Sequence, residues 1–302
     1  MTFCSFGQKV NINGQDVERI YRTKDSTQNF YLVLEPQSKP KGLLVILPGF
    51  GTYPGEVLGE TDLPAKARND GHLVVIPYLA IATFYSDSIS QSRINTLIPE
   101  VIKKYKILQN KFVIGGHSAG GNGALLYSEN SFKPNSKLVK PNGVFAVDSP
   151  LDLKRFWNSI IFQKRLNSPK INSAEADYFL KYFSERYGGS PETNPSMYEK
   201  YSSYYREADK GGNAQYLKSI PVRLYCDPDI QWLIKNRSAS YEHINLADLS
   251  ALIVQLDLLG NDKAELITNI GKGFLPDGRR HPHAFSQLDS DEFLTWMKKV
   301  IE

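Results

Sequence analysis

The chain has 302 residues, with 41% hydrophobic and 23% charged residues, and its 36 basic and 32 acidic side chains leave a net charge of +4. That apolar content excludes a disordered chain. The interspersed charges give no basic stripe of the kind a nucleic-acid protein carries, and no run of 18 apolar residues is available to span a membrane. Two cysteines, Cys4 and Cys226, are too few for a disulfide scaffold or a cysteine zinc site.

In chain order, residues 1–11 lack the apolar core of a secretory signal, so the chain as given reads as cytoplasmic, or as secreted or periplasmic if a signal precedes it. Residues 31–35 form a first, more exposed strand. Short continuous apolar runs then recur at 43–47 (LLVIL), 72–78, 112–115 (FVIG), 143–147 (GVFAV), 222–226 and 264–270. Runs of this length, apolar on both faces, are the pattern of buried parallel strands. Between them lie amphipathic stretches at 90–108, 119–127, 245–259 and 289–301; the first sets Ile94, Leu97, Ile98, Val101 and Ile102 on one helical stripe. Strands alternating with helices predict a mostly parallel central sheet covered on both faces, an α/β fold.

Residues 151–217 break the rhythm. They hold helical patterns at 153–164, 174–186 and 196–207, no convincing strand, and many aromatic residues, among them Trp157, Tyr178 and Tyr201. This predicts a helical lid inserted after a strand, over the carboxyl edge of the sheet where open α/β sheets bind ligands. The domain layout is then 1–42 as an N-terminal extension with strands, and 43–302 as the main domain with the insertion at 151–217.

Gly116-His117-Ser118-Ala119-Gly120 fits the pattern Gly-x-Ser-x-Gly. The pentapeptide alone is weak, but it follows the strand 112–115 and opens a helix, which is the strand–turn–helix setting of a nucleophile elbow. With Leu47-Pro48-Gly49-Phe50-Gly51 upstream and acids and histidines downstream, the chain from residue 43 onward resembles the α/β-hydrolase family of serine hydrolases. The resemblance implies an eight-stranded, mostly parallel sheet and a Ser, Asp/Glu, His triad. It implies Ser118 as nucleophile, and the backbone N–H groups of Phe50 and Ala119 as oxyanion donors. His283, in the loop before the last helix, is the implied base, with His281 as the alternative. Asp229, after the strand 222–226, is the implied acid, with Asp227 and Asp148 as alternatives. Phe50 and Trp232 would complete an apolar substrate wall.

The activity this implies is hydrolysis of a small-molecule carboxylic ester through an acyl-enzyme, with no cofactor and no metal. A peptidase or amidase on the same fold, and an inert ligand-binding relative, are the competing readings. The triad chemistry is common to ester and amide cleavage, so the motif does not separate them.

Overall fold

The computed structural model describes residues 6–23, 29–79 and 83–302; Cys4 lies outside them. Nine strands form one sheet in the order β1-β2-β3-β5-β4-β6-β7-β8-β9. An antiparallel hairpin of β1 (Phe6–Ile12) and β2 (Gln15–Tyr21) leads into β3 (Phe30–Leu34), which joins β5 in antiparallel pairing. From there β4 (Leu43–Leu47), β5 (Leu73–Tyr78), β6 (Phe112–His117), β7 (Gly143–Val147), β8 (Val222–Cys226) and β9 (Ala264–Thr268) pair in parallel. The residues before Leu43 are therefore built into the same sheet. They supply three antiparallel strands at one edge.

The central strands are buried on both faces, as their unbroken apolar composition requires. Along β4, Leu43, Val45 and Leu47 face one core while Leu44 and Ile46 face the other. The helices are α1 (Val57–Glu60), α2 (Leu63–Asn69), α3 (Ser88–Lys104), α4 (Ala119–Phe132), α5 (Leu153–Leu166), α6 (Ser173–Tyr187), α7 (Pro195–Tyr201), α8 (Ile230–Arg237), α9 (Leu246–Leu258) and α10 (Ser290–Ile301). The stripe Ile94, Leu97, Ile98 and Val101 of α3 packs into the first core with Ala124 and Leu125 of α4 and Leu249 and Leu252 of α9. Leu63 and Ala67 of α2, with Phe293 and Met297 of α10, close the second.

Between β7 and β8, α5, α6, α7 and a kinked 3-10 segment (Asp209–Leu217) fill the region expected to be helical. Their base is fixed by a buried ion pair. Asp248 of α9 meets the Arg155 guanidinium of α5 and also accepts the N–H groups of Leu151 (3.1 Å) and Asp152 (3.2 Å). A carboxylate with this many donors is well compensated for its loss of water. Among the described residues, no helix is long and apolar enough to cross a membrane.

Candidate active site

The site is built on the carboxyl ends of β6 and β7. Ser118 stands between β6 and α4 with φ 53° and ψ −123°, backbone angles that an ordinary serine avoids. Two contacts hold it there. Its N–H donates to the Val147 carbonyl of β7 (2.9 Å), and the start of α4 presses against the end of β4. A Cβ on Gly120 would lie 2.2 Å from the Leu47 carbonyl oxygen, and one on Gly116 would lie 2.5 Å from the same atom. The two glycines of the pentapeptide are thus demanded by close backbone approach.

His283, in the loop between β9 and α10, brings Nε2 to 3.0 Å from Ser118 Oγ. Its Nδ1 lies 2.6 Å from Oδ2 of Asp148, the residue that follows β7. The acid beside the histidine is therefore Asp148, and the choice of Asp229 is corrected. Asp148 is itself held by its surroundings. Its N–H donates to the Tyr225 carbonyl (2.8 Å), its carbonyl accepts from Asn245 Nδ2 (2.8 Å), and the Cys226 thiol donates to its Oδ1 (3.6 Å). Burial, with the nearby Asp148 charge, pushes the Cys226 thiol far up, so it remains a neutral donor. Desolvation works to lower the pKa of His283. The charge and hydrogen bond of Asp148 outweigh it, and the imidazole titrates above its ordinary 6.5.

The two acids after β8 have another task. Asp227, buried, accepts from the N–H groups of Gly271 (3.1 Å) and Gly273 (2.9 Å) and pairs with Arg280 (2.7 Å). Asp229 caps α8 by accepting from the Trp232 N–H (3.0 Å) and pairs with the same guanidinium (3.0 Å). Together they fasten the loop that carries His283, and so hold that histidine from the far side. A second fastening comes from His117, whose Nε2 lies 2.6 Å from the His283 carbonyl oxygen. Burial and the neighbouring His283 charge lower the His117 pKa to about 3, so its ring is neutral and donates this bond. His281 lies beside His283, with ring centroids 6.4 Å apart, and does not reach Ser118 by hydrogen bond.

A cavity of about 430 Å³ opens over Ser118 and is lined by Phe50, Trp232 and His281 as well as by α5 and α6. Phe50 stands between the end of β4 and the helices, 5.3 Å from the Phe84 ring and 5.0 Å from that of Phe179. The Phe50 N–H makes no hydrogen bond among the described residues, and the Ala119 N–H belongs to the first turn of α4, where helix donors have no internal acceptor. Of the aromatic residues in the insertion, Phe156 and Phe179 line the cavity. Trp157 and Tyr201 are buried in the core instead, and Tyr178 is exposed. Phe84, which completes the aromatic wall, carries no motif that marks it in the sequence. Among the described residues no group of three or more His, Cys, Asp or Glu side chains is arranged to hold a metal.

No family model matches the chain, and no curated protein matches it by sequence. Solved structures do resemble it. A fungal esterase from Rhizomucor miehei is 14% identical over 99% of this chain and 84% of its own, with a TM-score of 0.61. Carboxyl esterase 2 from Tuber melanosporum is 15% identical over 100% of this chain and 89% of its own, with a TM-score of 0.59. An S-formylglutathione hydrolase from Agrobacterium tumefaciens is 12% identical over 99% of this chain and 95% of its own, with a TM-score of 0.55. At such identities the likeness is one of fold, and the architecture these proteins share with the chain is the α/β-hydrolase fold.

Proposed function

We propose that the protein is a serine hydrolase that cleaves carboxylic esters through Ser118, His283 and Asp148. The observation that carries this reading is the unbroken relay from Ser118 Oγ to His283 Nε2 (3.0 Å) and from His283 Nδ1 to Asp148 (2.6 Å). In the proposed cycle Ser118 Oγ attacks the ester carbonyl while His283 Nε2 takes its proton. Asp148 keeps the proton of His283 on Nδ1 and stabilises the imidazolium that forms. The N–H groups of Phe50 and Ala119 are the donors available to the oxygen that becomes negative. Collapse expels the alcohol, which receives the proton from His283, and leaves an acyl group on Ser118. Water, activated by the same imidazole, then releases the acid.

The esterase neighbours support the choice of esters, and the apolar wall around Phe50 suits an acyl or aryl group. The test is labelling by a fluorophosphonate probe together with turnover of p-nitrophenyl esters. Wild-type protein should label at Ser118 and turn over ester, and Ser118→Ala should lose both, with a fall in turnover on the order of a millionfold. Folded Ser118→Ala that retains near wild-type turnover would remove Ser118 from the reaction. Preferential cleavage of aminoacyl amides would make the enzyme an amidase instead.

A further inference from the structure

The cavity over Ser118 is lined by Arg237 and Lys170 as well as by the phenylalanines. His281 stands there with two donors aimed at its ring. The His283 backbone N–H lies 3.2 Å from His281 Nδ1, and Arg237 Nη2 lies 2.8 Å from His281 Nε2. Burial, and then the neighbouring His283 charge, lower the His281 pKa to about 4, so the ring is neutral near pH 7. A neutral imidazole has one N–H and one lone pair. It can accept from one of these donors and must face the other donor to donor. The backbone N–H is held by the chain, whereas Arg237 ends α8 with an exposed side chain. An exposed guanidinium would swing away from a ring N–H, so the 2.8 Å contact marks Nε2 as the acceptor, and His281 braces one edge of the Arg237 fork.

Arg237 also lacks a carboxylate partner among the described residues, although Arg280 on the neighbouring loop has two. Lys170, on the same cavity from the α5–α6 connection, rests its ammonium on the Lys235 carbonyl (2.5 Å) and has no ion pair among the described residues either. Trp232 flanks the spot, its ring 5.3 Å from His281. Two lining carboxylates, Asp148 and Asp227, are already paired; the third, Glu175 of α6, forms no ion pair with Arg237.

We propose that Arg237, braced by His281, forms a subsite for a carboxylate carried by the substrate, so that the enzyme acts on esters bearing a free acid group. This rests on the serine-hydrolase reading above. A carboxylate accepts from two N–H groups of the planar guanidinium fork at once and supplies the counter-charge that Arg237 lacks. Because the His281 and His283 rings lie 6.4 Å apart, the acid group sits a short span from the scissile carbonyl.

Two substrate pairs test this: an aryl monoester of adipate against its terminal amide, with the charge on the acyl side, and 4-acetoxybenzoate against 4-acetoxybenzamide, with the charge on the alcohol side. Wild-type enzyme should prefer the carboxylate member of at least one pair in kcat/KM. Arg237→Gln should lower that preference by about tenfold to a hundredfold, and Arg237→Lys, which keeps the charge and loses the fork, should fall between. Equal kcat/KM within both pairs, or a preference that survives in folded Arg237→Gln, would overturn the subsite. Absence of any turnover with no labelling of Ser118 would instead defeat the hydrolase reading. Titration of 4-acetamidobenzoate into wild type and Arg237→Gln then decides the subsite alone: binding that the variant loses upholds it, and no binding to wild type ends it.

Discussion

Asp148 and Asp229 follow adjacent strands of a parallel sheet, and sequence position offers little to choose between them. Parallel strands end at one edge, so acids after β7 and β8 both arrive near the loop after β9. What separates them is pairing: Asp229 is engaged by Arg280 and by the amino end of α8, while Asp148 meets only hydrogen-bond donors and the ring of His283. Arg280 is the residue that redirects Asp227 and Asp229, and no motif announces it. The elbow, by contrast, was legible because its glycines answer to local backbone crowding. Asp148→Asn should lower kcat by about ten-thousandfold, since an amide no longer fixes the imidazole tautomer, and Asp229→Asn should act only through loop position. In the proposed cycle His283 acts as a neutral imidazole. Its pKa is raised in the folded enzyme, so kcat/KM should fall with decreasing pH through an apparent pKa above about 6.5. In Asp148→Asn that limb should move to lower pH. A limb that moves in Asp229→Asn and stays in Asp148→Asn would return the acid role to Asp229.

At the scale of elements, strands buried on both faces were readable almost to the residue. Residues 43–47, 143–147 and 222–226 are strands with those bounds, and β6 runs two residues beyond its apolar portion, through His117. The hairpin β1–β2 went unread because it is polar and half exposed, with no continuous apolar run. Short α8 went unread because it buries no residue fully and so has no stripe. The insertion divides its aromatics between two duties that periodicity cannot distinguish. Phe183, Tyr187 and Tyr198 fill the core between α6 and α7, while Phe156 of α5 and Phe179 of α6 turn to the cavity. Selection of the substrate by this segment is therefore expected to rest on those two rings. In Phe156→Ala and Phe179→Ala the ratio of kcat/KM between long and short acyl esters should change by about threefold to tenfold each, while Trp157→Ala should act through stability. A ratio that both phenylalanine variants leave unaltered would mean that the acyl wall is built from Phe50 and Phe84 alone.

In the whole molecule, the relay draws on residues 118, 148 and 283, and the loop bearing His283 is tied back to β8 by Asp227 and Arg280 and to β6 by His117. None of these ties is local in sequence. Pairings between distant segments close late, because loop entropy is lost before such contacts repay it. The chain should consequently be chemically silent through most of its folding. β6, α4 and β7 can assemble the strained serine turn, yet Ser118 has no histidine within hydrogen-bond reach of its hydroxyl until β9 has zipped onto β8 and the final loop has locked. Followed from denaturant, far-UV circular dichroism should recover first, and fluorophosphonate labelling of Ser118 should rise only with the slowest phase. Labelling that keeps pace with the earliest helical signal would show that the reactive serine does not wait for the end of the chain. If it does wait, a growing polypeptide carries no assembled Ser118–His283–Asp148 site until its last strand and loop are in place.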